Sequence, residues 1–358
     1  MKKSNVGTYL AKRGISRRSF LKYSSAMASL LALPSTAVAG FTNQFLKAKR
    51  PSVIWLSFQE CTGCTESLTR SHAPTIEDLI FDIISLDYHH TLQAASGEAA
   101  ESARQQAMED AFGDYYLIVD GAVPAGETAV CSTISGRSNL DLLQETIQGA
   151  KAVIAIGSCA AFGGLPAADP NPTGAAGVSE LMERGEIEQK PLINLPGCPP
   201  LPVAISSVLA HLVVFEGFPA LDDLNRPLSI YAKTVHDRCS RYHFYENEQF
   251  AERFDDEGAR QGWCLYKLGC KGPTTHNACA VVKWNQGTSF PIDSRIQEGA
   301  QLYEENCVYC HSFDPTDFKT APDKIADLLR SGDIRSHSRL QFSEDQLTIL
   351  EKYLEESQ

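Results

Sequence analysis

Eleven cysteines are distributed along this 358-residue chain, and their spacing restricts what it can fold into more than any other feature. Cys61-Thr62-Gly63-Cys64 comes first, and Cys159 and Cys198 stand apart. Cys239, Cys264, Cys270 and Cys279 follow, and Cys307-Val308-Tyr309-Cys310-His311 ends the row. The odd count and the use of disulfides by exported proteins keep a disulfide framework open as a reading. Against it, a chain of this length buries an adequate core without cross-links, and cysteine is only about 3% of its residues. Structural zinc, which takes four thiolates or mixed thiolate and imidazole ligands, is the second reading. A long row of thiols ending in Cys-x-x-Cys-His points instead to several metal centres on one chain, an arrangement suited to moving electrons.

Residues 1–39 read as an export segment. Ser16-Arg17-Arg18-Ser19-Phe20-Leu21-Lys22 is a twin-arginine signature, a short apolar stretch runs to about Leu33, and Ala37-Val38-Ala39 offers a cleavage site before Gly40. An uncleaved membrane anchor is the alternative, but Ser24, Ser25, Ser29 and Pro34 interrupt the apolar run. The twin-arginine route carries proteins that fold and load cofactors before export, which favours inserted clusters over disulfides and predicts a periplasmic location. The segment holds seven basic and no acidic residues, so the remainder carries 25 basic against 44 acidic side chains, a net charge near −19. So acidic a chain excludes nucleic acid as a partner. No later stretch is apolar enough to cross a bilayer, so the mature chain is expected to have no span.

From Pro51 onward short apolar runs alternate with helical segments, which predicts a parallel α/β sheet. Candidate strands are Val53–Phe58, Ile83–Leu86, Tyr116–Val119, Val153–Ile156 and Leu192–Leu195, each with the unbroken apolar character of a strand buried on both faces. Three of them lead into cysteines: the first to Cys61 and Cys64, the fourth to Cys159, the fifth to Cys198. Parallel strands share a direction, so these loops are expected at one carboxyl edge, where open α/β sheets bind ligands. Four thiolates gathered there fit a [4Fe–4S] cluster. Gly63, Gly157, Gly163, Gly164 and Gly197 would let backbone approach a bulky cofactor.

Cys61-Thr62-Gly63-Cys64-Thr65-Glu66-Ser67, Gly157-Ser158-Cys159-Ala160, Asn171-Pro172-Thr173-Gly174 and Pro196-Gly197-Cys198-Pro199-Pro200 occur in this order. In them the chain resembles the small subunit of uptake [NiFe] hydrogenases, from about Ser52 to Ile292. That resemblance implies a flavodoxin-like doubly wound parallel sheet over 50–215, followed by an irregular iron–sulfur domain over 216–292. It implies that Cys61, Cys64, Cys159 and Cys198 hold a proximal [4Fe–4S] cluster facing the Ni–Fe centre of a separate large subunit. Oxygen-tolerant relatives carry two extra cysteines around this cluster; Gly63 and Gly164 stand at those places here, which implies the standard form. Val235-His236-Asp237-Arg238-Cys239 and Gly262-Trp263-Cys264-Leu265-Tyr266-Lys267-Leu268-Gly269-Cys270 continue the pattern. By it, His236, Cys239, Cys264 and Cys270 would ligate a distal [4Fe–4S] cluster. Cys279 matches the first ligand of the family's medial [3Fe–4S] cluster, but the next ligand is expected near Glu298, and the following thiols, Cys307 and Cys310, come about nine residues late. Cys131 matches no cluster position and reads as a buried thiol.

Residues 293–358 resemble a small all-α c-type cytochrome. Cys307 and Cys310 would attach haem c covalently and His311 would ligate its iron. Ser343 and Gln346 form a capping box ahead of Leu347, Leu350 and Leu354 at helical spacing. No methionine follows Met182, which leaves His337 as the possible second axial ligand. The contrary reading places Cys307 and Cys310 in the medial cluster. The expected function is the electron-transfer subunit of a hydrogenase that oxidises H2 and delivers electrons to a cytochrome acceptor, soluble or membrane-bound. Two alternatives stay open: a hydrogen-sensing subunit, and a [4Fe–4S] subunit of a quinone oxidoreductase that shares only the first domain.

Overall fold

In the computed structural model, the described residues are 49–292, apart from 73, 216 and 255, together with 342–357. The export segment, the Cys307–His311 motif and His337 lie outside them. Contacts divide the chain into two compact units, one up to Ala232 and one from Lys233 onward.

The first unit is built on five parallel strands: β1 (Ser52–Ser57), β2 (Ser85–His89), β3 (Tyr115–Asp120), β4 (Ala150–Ile156) and β5 (Leu192–Leu195). They are ordered β2-β1-β3-β4-β5. This is the flavodoxin-like order, with the topological switch between β1 and β3. All six residues of β1 and of β3 are buried, as strands covered on both faces must be. One face packs Ile54, Leu56, Leu117, Val119, Val153 and Ala155 into a single cluster with Leu142, Leu143, Ile147, Val178 and Leu181. Those last residues belong to helices α3 (Asn139–Ile147) and α5 (Val178–Glu183), and Ala100 and Ala107 of α2 (Glu98–Asp110) join the same cluster. Ser138 caps α3 by accepting the Asp141 amide at 3.1 Å.

Four of the five predicted strands lie inside the observed ones or overrun them by a single residue. The exception is Ile83–Leu86, because Leu79–Ile83 forms a π-helical turn and β2 begins only at Ser85. The run from Leu79 to Ile84 is almost wholly apolar, and such short runs do not distinguish buried helix from strand. Arg50 fixes the helical outcome by donating from Nε to the Ile84 carbonyl and from Nη2 to that of Ile80, both at 2.9 Å.

Helix α6 (Pro202–Phe215) is buried along nearly its whole length and packs on α1 (Gly63–Thr69), the short helix carrying Cys64. The Ser67 hydroxyl donates to the Pro200 carbonyl at 2.6 Å, and Ser71 meets Ser206 at 3.3 Å. Residues 217–232 stay with this unit, because Asn225 accepts the Asn194 amide at 2.8 Å and Tyr231 donates to the Pro196 carbonyl at 2.8 Å. The second unit has short helices, 3-10 turns and isolated bridges such as Thr234 with His276 and Phe250 with Cys264. Its described end is the helix α7 (Glu344–Ser357), which begins with the expected capping box. Ser343 Oγ accepts the Gln346 amide at 3.2 Å and Gln346 Oε1 accepts the Ser343 amide at 2.9 Å. Leu347, Leu350, Tyr353 and Leu354 are its buried face. No helix among the described residues is long and apolar enough to cross a membrane.

Candidate metal centres

The first centre grows from the carboxyl ends of β1, β4 and β5. Beyond β1, amide bonds Phe58 to Asp120 (2.8 Å) and Gln59 to Ala122 (3.0 Å) carry the chain toward Cys61. Thr62 then adopts a left-handed φ of 65°, and α1 starts with Gly63 and Cys64. After β4, Gly157 turns with φ 89° into the helix α4 (Gly157–Phe162), which places Cys159. The Ser158 amide donates to the Gly197 carbonyl at 2.8 Å and the Gly197 amide to Ser158 Oγ at 3.1 Å, which ties the Cys159 loop to the Cys198 loop.

Close approach at this edge depends on missing side chains. A Cβ at Gly157 would lie 2.5 Å from Cys64 Sγ, and one at Gly164 would lie 2.8 Å from Cys159 Sγ. Even at Gly63 a Cβ would sit 3.1 Å from Cys61 Sγ. The space in front of the thiols is kept open by glycine.

The thiols also feel one another electrostatically. Burial pushes the Cys64 thiol well up, and Asp120, Cys159 and Cys61 add to the rise. Cys159 is raised by burial first and then by Cys198, Asp120 and Cys61. Asp120 itself is pushed up to about 7, by burial and then by the neighbouring Glu60. Cys64 and Cys159 held this way resist ionisation as free groups, and iron would displace their protons. The nine cysteines among the described residues are all free, which disposes of the disulfide reading for them. Among the same residues no three His, Cys, Asp or Glu side chains converge tightly enough to hold one metal ion. A mononuclear zinc with four ligands at about 2.0–2.3 Å has no ready cage here. Four thiols around a glycine-lined space instead fit the wider [4Fe–4S] group.

The second centre is an enclosed cavity in the second unit. His236, Cys239, Cys264 and Cys270 all line it, with Arg241, Tyr242 and Leu265. His236 opens a 3-10 turn that Thr234 and Asp237 brace reciprocally: the Thr234 amide donates to Asp237 Oδ2 at 2.8 Å and the Asp237 amide to Thr234 Oγ1 at 3.2 Å. Gly269, with φ 92°, reverses the chain after Tyr266–Leu268 so that Cys270 returns to the cavity. Backbone amides already point at sulfur: Arg241 to Cys239 Sγ at 3.4 Å and Gly272 to Cys270 Sγ at 3.3 Å. Burial raises both Cys239 and Cys264, while the Arg241 guanidinium opposes the rise at each. The donor set and the amide-to-sulfur bonds fit a [4Fe–4S] group with one imidazole ligand.

Cys279 opens the helical turn Cys279–Val282 and lines an adjoining cavity of about 400 Å³ that shares Cys270 and Ile292 with that of the second centre and also includes Phe254. Its thiol is raised by burial. The structure corrects one expectation outright: Cys131 is exposed, at the end of the 3-10 turn Gly126–Cys131. None of the six residues of that turn is buried, so it lies on the surface and leaves the thiol uncovered. Sequence reasoning missed Asp120 and Arg241. Asp120 is signalled only by its place at the end of β3, level with the cysteine loops; Arg241 only by standing two residues beyond Cys239.

Two known families match successive parts of the chain. The family described as NADH ubiquinone oxidoreductase, 20 Kd subunit, matches residues 61–212. The family of the C-terminal part of NiFe/NiFeSe hydrogenase small subunits matches residues 231–297. The hydrogenase-2 small chain of Escherichia coli K12 is 42% identical over 286 residues, covering 80% of this chain and 76% of the relative. This chain belongs to the [NiFe] hydrogenase small-subunit family. The periplasmic [NiFe] hydrogenase small subunit 1 of Nitratidesulfovibrio vulgaris is 41% identical over 285 residues, covering 80% and 88% of the two chains. Among solved structures, the [NiFeSe] hydrogenase of Desulfomicrobium baculatum superposes with a TM-score of 0.63 at 33% identity, covering 69% of this chain and 92% of that one. Hydrogenase small subunits of this family carry iron–sulfur clusters and pair with a large subunit that holds the Ni–Fe centre. The quinone-oxidoreductase match stops within the first unit, and the hydrogenase-specific match covers the second unit as far as residue 297.

Proposed function

We propose that this chain is the periplasmic electron-transfer subunit of an H2-oxidising [NiFe] hydrogenase, exported by the twin-arginine pathway, with a C-terminal haem c domain as its electrical outlet. Cys61, Cys64, Cys159 and Cys198 would hold the proximal [4Fe–4S] cluster, and His236, Cys239, Cys264 and Cys270 the distal one. Cys307 and Cys310 would attach haem, with His311 and His337 as its axial ligands, which leaves Cys279 as the one thiol at the medial [3Fe–4S] position. When bound, these groups supply one-electron sites between the large subunit's Ni–Fe centre and a cytochrome acceptor. The chain's own residues set the terms of that transfer. The glycines at 157 and 164 keep the first site open, where Cys61 and Cys198 are exposed, and Arg241 and the amides of 241 and 272 stabilise negative charge on sulfur in the second.

The observation that carries this reading is the second cavity, with all four expected donors on its wall. A quinone-oxidoreductase subunit that shares only the first unit would have no use for it. A hydrogen sensor would need no outlet, and the export signature speaks against a cytoplasmic signalling role.

The test is metal analysis with optical and electron paramagnetic resonance spectra of the purified complex. Two [4Fe–4S] clusters predict about eight cluster irons per chain, together with a covalent c-type haem band. Absence of that band would sink the haem assignment. A [3Fe–4S] signal that disappears in Cys307→Ser would assign the late cysteine pair to the medial cluster instead.

A further inference from the structure

The His236 ring is enclosed by aromatic edges. Tyr245 lies 4.5 Å from it at 82°, and Tyr242 lies 4.9 Å away at 63°, both edge-on. Tyr245 is in turn held by Phe250 at 5.8 Å and 85° and by Tyr266 at 5.6 Å and 82°. Lys267 closes the outer side, with its ammonium 5.4 Å from the Phe250 ring centre and 2.8 Å from Glu252. Tyr242 and Tyr266 are exposed at 39% and 49%, while Tyr245 and Phe250 are partly buried beneath them. The group therefore runs from the surface to the imidazole as one packed stack.

A ligating histidine ordinarily has its plane fixed by a hydrogen bond from its second ring nitrogen. Among the described residues no protein group hydrogen-bonds to the His236 ring. The torsion about its Cβ–Cγ bond is broad and roughly two-fold, so something else must select the plane. Two ring edges meeting the imidazole at steep angles do so, because edge-to-face contact is favourable only within a restricted range of orientations.

We propose that Tyr245, assisted by Tyr242, is the positioning residue of His236: it sets the imidazole plane toward the cavity and keeps water from the ring. The inference rests on the reading of His236 as a distal ligand. It makes the tyrosine ring, and not its hydroxyl, the working part.

The experiment uses the intact heteromeric hydrogenase, reduced anaerobically. Nitrogen hyperfine coupling at the distal cluster is read by pulsed electron paramagnetic resonance, and its midpoint potential by redox titration. Tyr245→Phe is expected to match the parent in both. Tyr245→Ala is expected to broaden the nitrogen coupling into a distribution and to raise the potential, since admitted water stabilises the more negative reduced cluster. Where Tyr245→Ala loses iron, Tyr245→Leu keeps the bulk without the flat edge and is expected to show the same broadening. Unchanged coupling and potential in an iron-replete Ala or Leu variant would overturn the proposal, as would a Phe variant that behaves like Ala. Absence of nitrogen coupling in the parent would show that His236 is not a ligand, and the positioning role would fall with that reading.

Discussion

His89 shows how a single buried residue ties stability to pH. Its ring lies 4.9 Å from Trp55, Nδ1 accepts the Thr91 amide at 3.3 Å, and Nε2 lies 3.3 Å from Thr65 Oγ1. That pattern assigns the proton to Nε2, which donates to the threonine. Burial, reinforced by His90, lowers its pKa to about 4. Because the folded value lies below the unfolded one of about 6.5, the neutral ring's contribution is complete above pH ~6.5 and is lost as pH falls toward 4. The full loss is of order 3 kcal/mol. Denaturation midpoints between pH 7 and 4 should therefore fall less steeply in His89→Gln than in the parent, and equal slopes would remove His89 from the account. Arg241 acts at the same scale on the second centre. Its guanidinium favours negative charge at Cys239 and Cys264, so Arg241→Met should lower the distal cluster's midpoint potential by an amount on the order of 50–100 mV. A redox titration that finds no shift would mean the charge is screened.

Turns matter more than strands in deciding whether the first site can be filled. Gly157→Ala forces a side chain into a φ of 89° and within 2.5 Å of Cys64 Sγ. The expected result is a cost of about 2 kcal/mol and loss of the proximal cluster's iron, while far-ultraviolet circular dichroism of the sheet is kept. Iron content equal to the parent would show that the cradle yields. At the other end of the chain, Ser343→Ala removes one half of the capping box and should cost α7 about 1 kcal/mol, read as faster amide exchange in its first turn. These elements also show what the sequence made legible. Unbroken apolar runs announced β1, β3, β4 and β5, and their direction alone brought Cys61, Cys64, Cys159 and Cys198 to one edge. The Leu79–Ile84 run could not declare itself, because its helical form depends on Arg50, about thirty residues earlier in the chain. Asp120, Arg241 and Tyr245 were equally hidden: an acid, a base and a phenol carry no period, and their roles arise only from what tertiary packing puts beside a thiol or an imidazole. Cys131 was misread for the same reason, since nothing local says whether a turn will be covered.

Across the whole molecule, charge is unevenly placed, and this bears on where electrons leave. Residues 49–232 carry 9 basic and 23 acidic side chains, whereas 233–292 carry 8 and 7. Residues 293–358 are acidic again, with 7 basic against 14 acidic. At physiological ionic strength a docking partner senses charges within about 8 Å, so the local balance and not the total governs encounter. A basic cytochrome that met the chain at the second centre would approach a nearly neutral surface, and its association rate would depend little on salt. The same cytochrome meeting the C-terminal segment would be steered by an excess of negative charge, with a rate that falls steeply as salt is added. Electron delivery through the C-terminal segment therefore predicts a steep fall in the second-order rate of reduction of a basic cytochrome between about 0.01 and 0.15 M ionic strength. Reversing four acidic positions of that segment, such as Asp314, Asp317, Asp323 and Asp327 to lysine, should flatten the curve, and H2 oxidation with a small uncharged dye should be unaffected. If the parent's rate is already insensitive to salt, the outlet is the second centre and the C-terminal segment serves another purpose.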